Sequence, residues 1–464
     1  MSGEDVTANR SGSFVDDVRD WYFESDVRMV LVTLLVMYVG FFVIGALLGT
    51  PFSGQIAALQ QLTLLMAVYA MLSLALNIHW GYTGLFNIGI TGFMAVGAYT
   101  FAIATASPDP TSAAGTPGLG LPFVVGLLLA LLASGFVGFL AALPTLRLRA
   151  DYLAIVTIAL SEIIRFAFKS RSLQRFTVGP YELFGVQLMG PVEMGTGGAS
   201  GITVDKPPQD LLLTFLSETP GFSIGYDLFV GFGEAIGVAT PAMRSWIYTI
   251  FLIFLTLAFY VLVWRIGFSP FGRVLKAIRE DEDVANALGK NTRSFKMQSF
   301  VVGCMLMGLV GVFWWASAGF INTQPFKPQT TFFVWIALII GGAGSTTGSL
   351  MGGILFIGLL FQGPIRIVGL VRQTLDIGSG AAPATIVDGA AALLSLDPMP
   401  LFAYFLANIQ SLRLVLMGAV LVWLMQNRPE GLLGHRKELA TSLDRDRVDR
   451  QTSAAAATDG GEDG

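Results

Sequence analysis

The sequence predicts an all-α integral membrane protein, and three observations carry that reading. Hydrophobic residues make up 53% of the chain and charged residues only 13%, with a mean hydropathy of +0.66; that is too little charge to cover a soluble surface. Apolar runs recur at close to the roughly 20 residues that a helix needs to span a bilayer. Lysine and arginine gather at the ends of particular runs, which orients them across the membrane.

The runs fall at 29–49, 56–78, 85–106, 121–144, 152–168, 246–268, 297–320 and 402–426. A further block, 331–362, carries no charge, is too long for one upright helix, and is split by Gly341-Gly342-Ala343-Gly344. The loop 269–296 holds Arg273, Lys276, Arg279, Lys290, Arg293 and Lys296, so it is placed in the cytoplasm. Arg147 and Arg149 mark a second cytoplasmic turn, and Arg428, Arg436 and Lys437 a cytoplasmic C-terminus. Alternation puts the N-terminus, with Arg10, Arg19 and Arg28, on the same side. Two inside anchors require an even number of crossings between them. Block 331–362 therefore crosses twice as short helices, or dips in and returns. Two crossings there give about ten transmembrane helices in all. Lys169, Arg171 and Arg175 fall outside in this scheme, at the start of a long translocated loop.

The expected organisation is a cytoplasmic tail over 1–28, a transmembrane domain over 29–434 and a disordered cytoplasmic tail over 435–464. Two polar excursions interrupt the membrane domain. One is an external loop, 169–245, rich in Gly and Pro and expected to be irregular; the other is the cytoplasmic loop 269–296. A second external stretch runs over 366–400. The chain opens on Glu4, Asp5, Asp16 and Asp17, where a cleaved leader would open on basic residues, so no leader is expected.

Several classes are excluded. A net charge of −4 gives no field for nucleic acid. Cys304 is the lone cysteine, and His79 and His435 lie far apart, so neither a metal centre nor a catalytic cluster is expected. The pair Gly289-Lys290 is followed by Asn291 and lacks the upstream glycine of a phosphate-binding loop, so the chain is not itself an ATPase. An ion-driven secondary transporter stays open as a further alternative; it would usually show paired intramembrane carboxylates or an inverted repeat, and no internal repeat is visible.

The loop 269–296 is the most informative segment. Pro270 and Gly272 open it and Gly289 suits a helix C-cap. Between them a short helix over 279–289 carries Arg279, Glu282 and Asp283 among small apolar points. Such a helix cannot enter lipid and suits a groove on a soluble partner. Asp283-Val284-Ala285-Asn286-Ala287-Leu288-Gly289 resembles the Glu-Ala-Ala-x-x-x-Gly motif that seats importer permeases of the ATP-binding cassette class on their ATPases.

Further segments resemble the branched-chain amino acid permeases of that class. They are Gly81-Tyr82-Thr83-Gly84 with Gly97-Ala98-Tyr99-Thr100, Leu146-Arg147-Leu148-Arg149 with Glu162-Ile163-Ile164-Arg165, and Thr196-Gly197-Gly198-Ala199-Ser200-Gly201. Gly341-Gly342-Ala343-Gly344 and Asn427-Arg428-Pro429-Glu430-Gly431-Leu432-Leu433-Gly434 complete the order. The fifth-run and C-terminal matches are similar to the M-type subunit. The resemblance implies an importer-permease bundle in the plasma membrane, forming half a pore beside an H-type permease. Two ATPase subunits holding ATP and magnesium, and an external substrate-binding protein, complete the assembly; this chain binds no cofactor, and membrane lipid surrounds it. In the ATPase-coupling role it places Arg279, Glu282, Asp283, Ala285, Ala287 and Gly289. Asn87-Ile88-Gly89-Ile90 departs from the family's Ser-Leu-Gly-His, which leaves open a urea or short-amide permease on the same scaffold.

Polar groups inside spans are costly and often functional; here they include Gln60, Gln61, Asn77, Asn87, Glu162, Arg165, Asn408 and Arg413. Glu162 and Arg165 share a helical face and fit either a structural ion pair between helices or a substrate path. Arg413 suits snorkelling to the outer surface. Gly84, Gly89, Gly92 and Gly97 fit either a broken helix whose N–H groups hold a carboxylate, or close helix packing. Asn87, Gly89, Gly92 and Phe93 are the candidate path residues there.

Overall fold

The computed structural model describes residues 25–108, 115–145, 150–179, 181–183, 186–189, 191–375, 382–428 and 430–433. Arg10, Arg19, Arg147, Arg149, His435, Arg436, Lys437 and most of the two expected tails lie outside the described residues.

In chain order the helices begin with α1 (Asp26–Leu47) and α2 (Phe52–Leu76), which continues through a π-helical turn, Asn77–Tyr82. Then come α3 (Ile90–Thr105), α4 (Phe123–Thr145) and α5 (Ala150–Lys169). After short strands β1 to β5, α6 (Pro208–Glu218) and α7 (Ser223–Ala235) precede the long α8 (Thr240–Phe268). The polar loop forms α9 (Pro270–Glu280) and α10 (Glu282–Ala287), followed by α11 (Thr292–Trp315). Next come α12 (Pro328–Gly341), α13 (Thr346–Leu355) with a π-helical turn Phe356–Gln362, and α14 (Gly363–Thr374). The short α15 (Ile386–Ala391), α16 (Met399–Ala407) and α17 (Ile409–Asn427) end the described helices. Among the described residues, seven helical runs are long and apolar enough to cross a membrane, and α3 and α12 are shorter apolar helices.

The apolar runs become helices because nothing but the chain itself can satisfy a backbone in lipid. Their ends follow local chemistry. Pro270 occupies the first turn of α9, where its missing N–H costs nothing, and the Ser269 hydroxyl accepts from the Gly272 N–H. Gly342, with φ of 105°, ends α12 and divides the block 331–362 where its glycine cluster lies. The second helix of that block runs on through Arg366 to Thr374, past the expected polar boundary.

Other boundaries also moved. The run 85–106 is helical only from Ile90, because the chain is non-helical over 84–89, within the connector 83–89. The run 402–426 is interrupted at Asn408, and α17 starts beyond it. The excursion 169–245 is less irregular than its composition implied. It contains antiparallel pairs of β1 (Phe176–Val178) with β4 (Val192–Met194) and of β2 (Tyr181–Leu183) with β3 (Val186–Met189), besides α6 and α7. Its strand β5 (Ile202–Thr203) pairs with β6 (Phe320–Ile321).

The chain divides into two compact units, one from Met1–Ala70, Leu212–Phe254 and Leu350–Pro429, the other from Met71–Leu211, Leu255–Ser349 and Glu430–Gly464. In the first, the Tyr38 hydroxyl meets Thr63 at 2.8 Å and Gln60 donates to the Thr249 hydroxyl at 2.7 Å. Arg413 does not snorkel. It is buried, donates to the Phe361 carbonyl at 3.0 Å, and lies 4.0 Å from the centre of the Phe361 ring. A π-helical turn widens the hydrogen-bond ladder, and the guanidinium serves a carbonyl there.

The second unit is built around α3, which is buried along almost its whole length. Glycines let its neighbours close in. Gly97 lies directly on the Gly308 backbone, Gly311 on the Met94 backbone, and Gly138 on Cys304. Small residues supply close van der Waals packing where lipid gives helices no hydrophobic reason to associate. Gly97→Leu should therefore force α3 and α11 apart. Overpacking costs about 1–3 kcal/mol, so the detergent-solubilised protein should melt several degrees lower; an unchanged melting temperature would show that this contact is not close.

Candidate functional site

The site grows from the connector 83–89, whose backbone leaves the helical ladder beyond Leu85. His79 and Asn87 organise it. The Asn87 side-chain carbonyl accepts from the Gly89 N–H at 2.8 Å, which leaves its amide NH₂ to donate to His79 Nδ1 at 3.1 Å. With Nδ1 accepting, the imidazole carries its proton on Nε2 and donates to the Phe300 carbonyl at 3.0 Å. The ring stacks on Phe300 at 4.8 Å. The Ile88 N–H donates to the Thr157 hydroxyl at 3.0 Å, and Trp335 Nε1 donates to the Asn87 carbonyl at 3.0 Å. The Leu85 N–H reaches the His79 carbonyl at 2.8 Å.

A second set of contacts ties the π-helical turn Asn77–Tyr82, which leads into this connector, to the turn between α12 and α13. Asn77 Oδ1 accepts from the Gly344 N–H at 2.8 Å, and the Tyr82 and Thr346 hydroxyls meet at 2.7 Å. The segment 430–433 closes the end of α12: the Leu432 N–H donates to the Ile340 carbonyl at 2.9 Å, and Leu433 to Gly341 at 3.3 Å. The C-terminal motif thus satisfies carbonyls that the end of α12 leaves open.

The polar loop reaches into the same junction. Arg279 Nη1, at the end of α9, donates to the Gly81 carbonyl, and the side chain passes alongside Gly84 and Gly344. Desolvation lowers the guanidinium pKa from its ordinary value while the neighbouring Glu280 opposes the shift; arginine stays charged throughout. Lys276 is buried with its ammonium 5.1 Å from the centre of the Tyr82 ring and 5.2 Å from that of Phe268, a cation–π arrangement. Leu275 and Ile278 are buried on the same helix.

The single helix expected over 279–289 is two helices. Asp281 is extended, with φ of −156°, and its carboxylate accepts from the Asp283 and Val284 N–H groups at 2.9 and 3.0 Å. It is therefore an N-cap, which ends one helix and starts the next. Glu282 pairs with Lys296 on α11, and Asn286 accepts from Thr292 at 2.9 Å. Gly289, with φ of +77°, closes α10 in the left-handed region. Ala285 is buried, Asp283 and Ala287 are exposed, and Val284 and Leu288 stand out at 54% and 74% exposure.

Of the path candidates, Asn87, Gly89, Gly92 and Phe93 come together and are all buried. A Cβ on Gly89 would come within 2.6 Å of the Thr157 carbonyl, and one on Gly92 within 2.8 Å of Ser161 Cα. Glu162 and Arg165 pair within α5, at 2.9 and 2.5 Å, and join no second helix. The sequence reading passed over His79 as a ligand, and Lys276, Tyr82 and Thr346 as partners. The signal for His79 was a histidine inside an apolar run, eight residues before Asn87. Among the described residues no three His, Cys, Asp or Glu side chains gather as a metal site.

Seven helical runs long and apolar enough to cross a membrane, among the described residues, mark a multi-pass membrane protein. The family described as "Branched-chain amino acid transport system / permease component" matches residues 58–369, and the chain belongs to that family. The Escherichia coli high-affinity branched-chain amino acid transport system permease protein LivM is 31% identical over 332 residues, covering 71% of this chain and 67% of the relative. A probable branched-chain amino acid transport permease protein LivM of Methanocaldococcus jannaschii is 25% identical, covering 64% and 79%. The Escherichia coli permease protein LivH is 31% identical over 132 residues, covering 27% and 39%. No solved structure gives a significant match.

Asn87→Leu tests the connector. It leaves the Gly89 N–H and His79 Nδ1 buried without partners, at about 1–3 kcal/mol each. The variant should melt well below the parent and lose uptake. Parental melting would show that the connector is held by other contacts.

Proposed function

We propose that this chain is one permease subunit of an ATP-driven importer of branched-chain amino acids, forming half of the pore beside an H-type permease in the plasma membrane. Family membership supports the transport class, and the names of the relatives support the substrate. Separate ATPase subunits hold ATP and magnesium, and an external binding protein delivers the amino acid. With loop 269–296 in the cytoplasm, helices α1 to α5, α8, α11, α12, the α13–α14 run and α17 make ten crossings, and both termini are cytoplasmic.

The single observation that carries the mechanism is Arg279 on the Gly81 carbonyl. The exposed edge of α10, with Asp283, Val284, Ala287 and Leu288, is the seat for an ATPase. The inward edge of α9, with Lys276 and Arg279, grips the π-helical turn that leads into the connector. Movement of the ATPases then passes through one short segment to the inner end of the third crossing. Asn87, Gly89, Gly92 and Phe93 shape that crossing from behind, and the Glu162–Arg165 pair lies one turn further along α5. Selection rests with the binding protein, so the pore needs no tight site.

The two edges separate experimentally. A hydrogen bond to a charged group contributes about 1.5–3 kcal/mol, and each 1.4 kcal/mol is about tenfold. In the assembled complex, Arg279→Ala should keep the ATPases bound and hydrolysing while leucine uptake per ATP falls about tenfold or more. Arg279→Lys should restore part of it. Leu288→Asp should instead lose the ATPases on purification. Unchanged uptake in Arg279→Ala, or loss of the ATPases from it, would overturn the division of roles. Uptake of urea in place of leucine would overturn the substrate.

A further inference from the structure

We propose that α7 is an interfacial helix that lies on the lipid surface with its outer face in the headgroup–acyl boundary. Its residues sort into three faces at about 100° per residue. Gly233 is buried and faces α8, while Ile224, Leu228 and Phe232 form an exposed apolar stripe on the opposite side, with Leu228 at 69% exposure. Asp227 and Glu234 share one flank and are exposed. A helix fixed on one side, apolar on the other and charged along its flank is built for a boundary between water and oil.

The place where α7 is fixed identifies the occupant. Gly233 lies against Met243 near the start of α8, where a Cβ would come within 2.6 Å of the sulfur. The Thr240 hydroxyl donates to Glu234 at 2.7 Å, and the Val238 N–H to the Gly233 carbonyl at 2.8 Å. Met243, Ile250, Phe254, Leu257 and Val261 recur on one side of α8. Met243 is buried, while Phe254 is 67% exposed and the others are open too. On this proposal that open stripe, on a helix long and apolar enough to cross a membrane, faces lipid, and α7 covers its N-terminal end. The apolar face of α7 therefore continues the lipid-facing surface. Arg244 and Trp246, residues typical of the membrane boundary, sit on α8 beside the contact. Phe222 and Phe215, with ring centres 5.7 Å apart, extend the apolar surface to the end of α6.

No Lys, Arg or His occurs from 207 to 243, so attraction to anionic headgroups does not hold the helix down. Apolar burial does, and its depth should not depend on anionic lipid. This proposal needs only the multi-pass membrane assignment, and neither the substrate nor the ATPase seat.

Spin labels on Ile224→Cys, Leu228→Cys and Asp227→Cys test it in the complex reconstituted into phosphatidylcholine nanodiscs. Cys304 is buried and is the lone native thiol. Labels at 224 and 228 should be relaxed more by oxygen than by a water-soluble nickel chelate, and the label at 227 the reverse. Added phosphatidylglycerol should leave that order unchanged. Greater relaxation by nickel at 228 would put the face in water, and protection from both agents would put a protein partner on it. Either result overturns the proposal, as does an oxygen preference that appears only with anionic lipid.

Discussion

A polypeptide that stops being helical inside an apolar medium must find a partner for every N–H and C=O it releases, and lipid offers none. The connector 83–89 is where this chain meets that constraint. Its amides and carbonyls are met by Asn87, Thr157, Trp335 and the His79 carbonyl. Those partners come from α5, α12 and the end of α2, so the surrounding helices are positioned by the need to serve one extended segment. The glycines on α3 follow from the same demand. A crossing whose first part is extended is held by neighbours, and the neighbours approach closely because Gly92, Gly97 and Gly311 carry no side chain.

On the coupling role proposed above, this arrangement would also decide where force enters. A helix can be pushed anywhere along its length, but an extended connector moves only through what is bonded to it. Asn77 and Tyr82, in the π-helical turn just before it, bond to the turn at 342–346, and Arg279 and Lys276 of α9 meet Gly81 and Tyr82 of that same turn. A cation is well suited to this grip. It stays charged at any physiological pH, and two rings stabilise the ammonium of Lys276. The split at Asp281 then gives the loop two short helices with different work, one turned to the connector and one exposed.

Much of this was legible in the sequence because lipid restricts the options. Apolar run lengths marked the crossings, and the glycine cluster at 341–344 marked the division of a block too long for one helix. The cluster at 84–97 offered a broken helix or close packing, and the chain does both: it breaks at 83–89 and packs through Gly92 and Gly97. What stayed illegible was pairing across long sequence distance. Nothing near Arg279 announces Gly81, and nothing near Asn77 announces Gly344. The glycines and prolines of 169–245 disguised α6 and α7 as an irregular loop. Asp281 falls inside the single helix expected over 279–289, and its part as an N-cap is fixed by its contacts to the Asp283 and Val284 N–H groups.

The central claim is that α9 and the connector move as one body, and a disulfide tests it most directly. A Cβ on Gly84 would stand 3.8 Å from Arg279 Cβ, close to the mean spacing of a disulfide. Gly84 has φ of +74°, so a side chain there costs about 1–2 kcal/mol, and Gly84→Cys alone serves as the control. The measurement is leucine uptake by the Gly84→Cys, Arg279→Cys protein in proteoliposomes with its ATPases, oxidised and then reduced. The account predicts uptake in the oxidised protein, where the covalent link replaces the arginine, and its loss on reduction. Uptake blocked by the disulfide and released by reduction would contradict it, because transport would then require α9 to leave the connector.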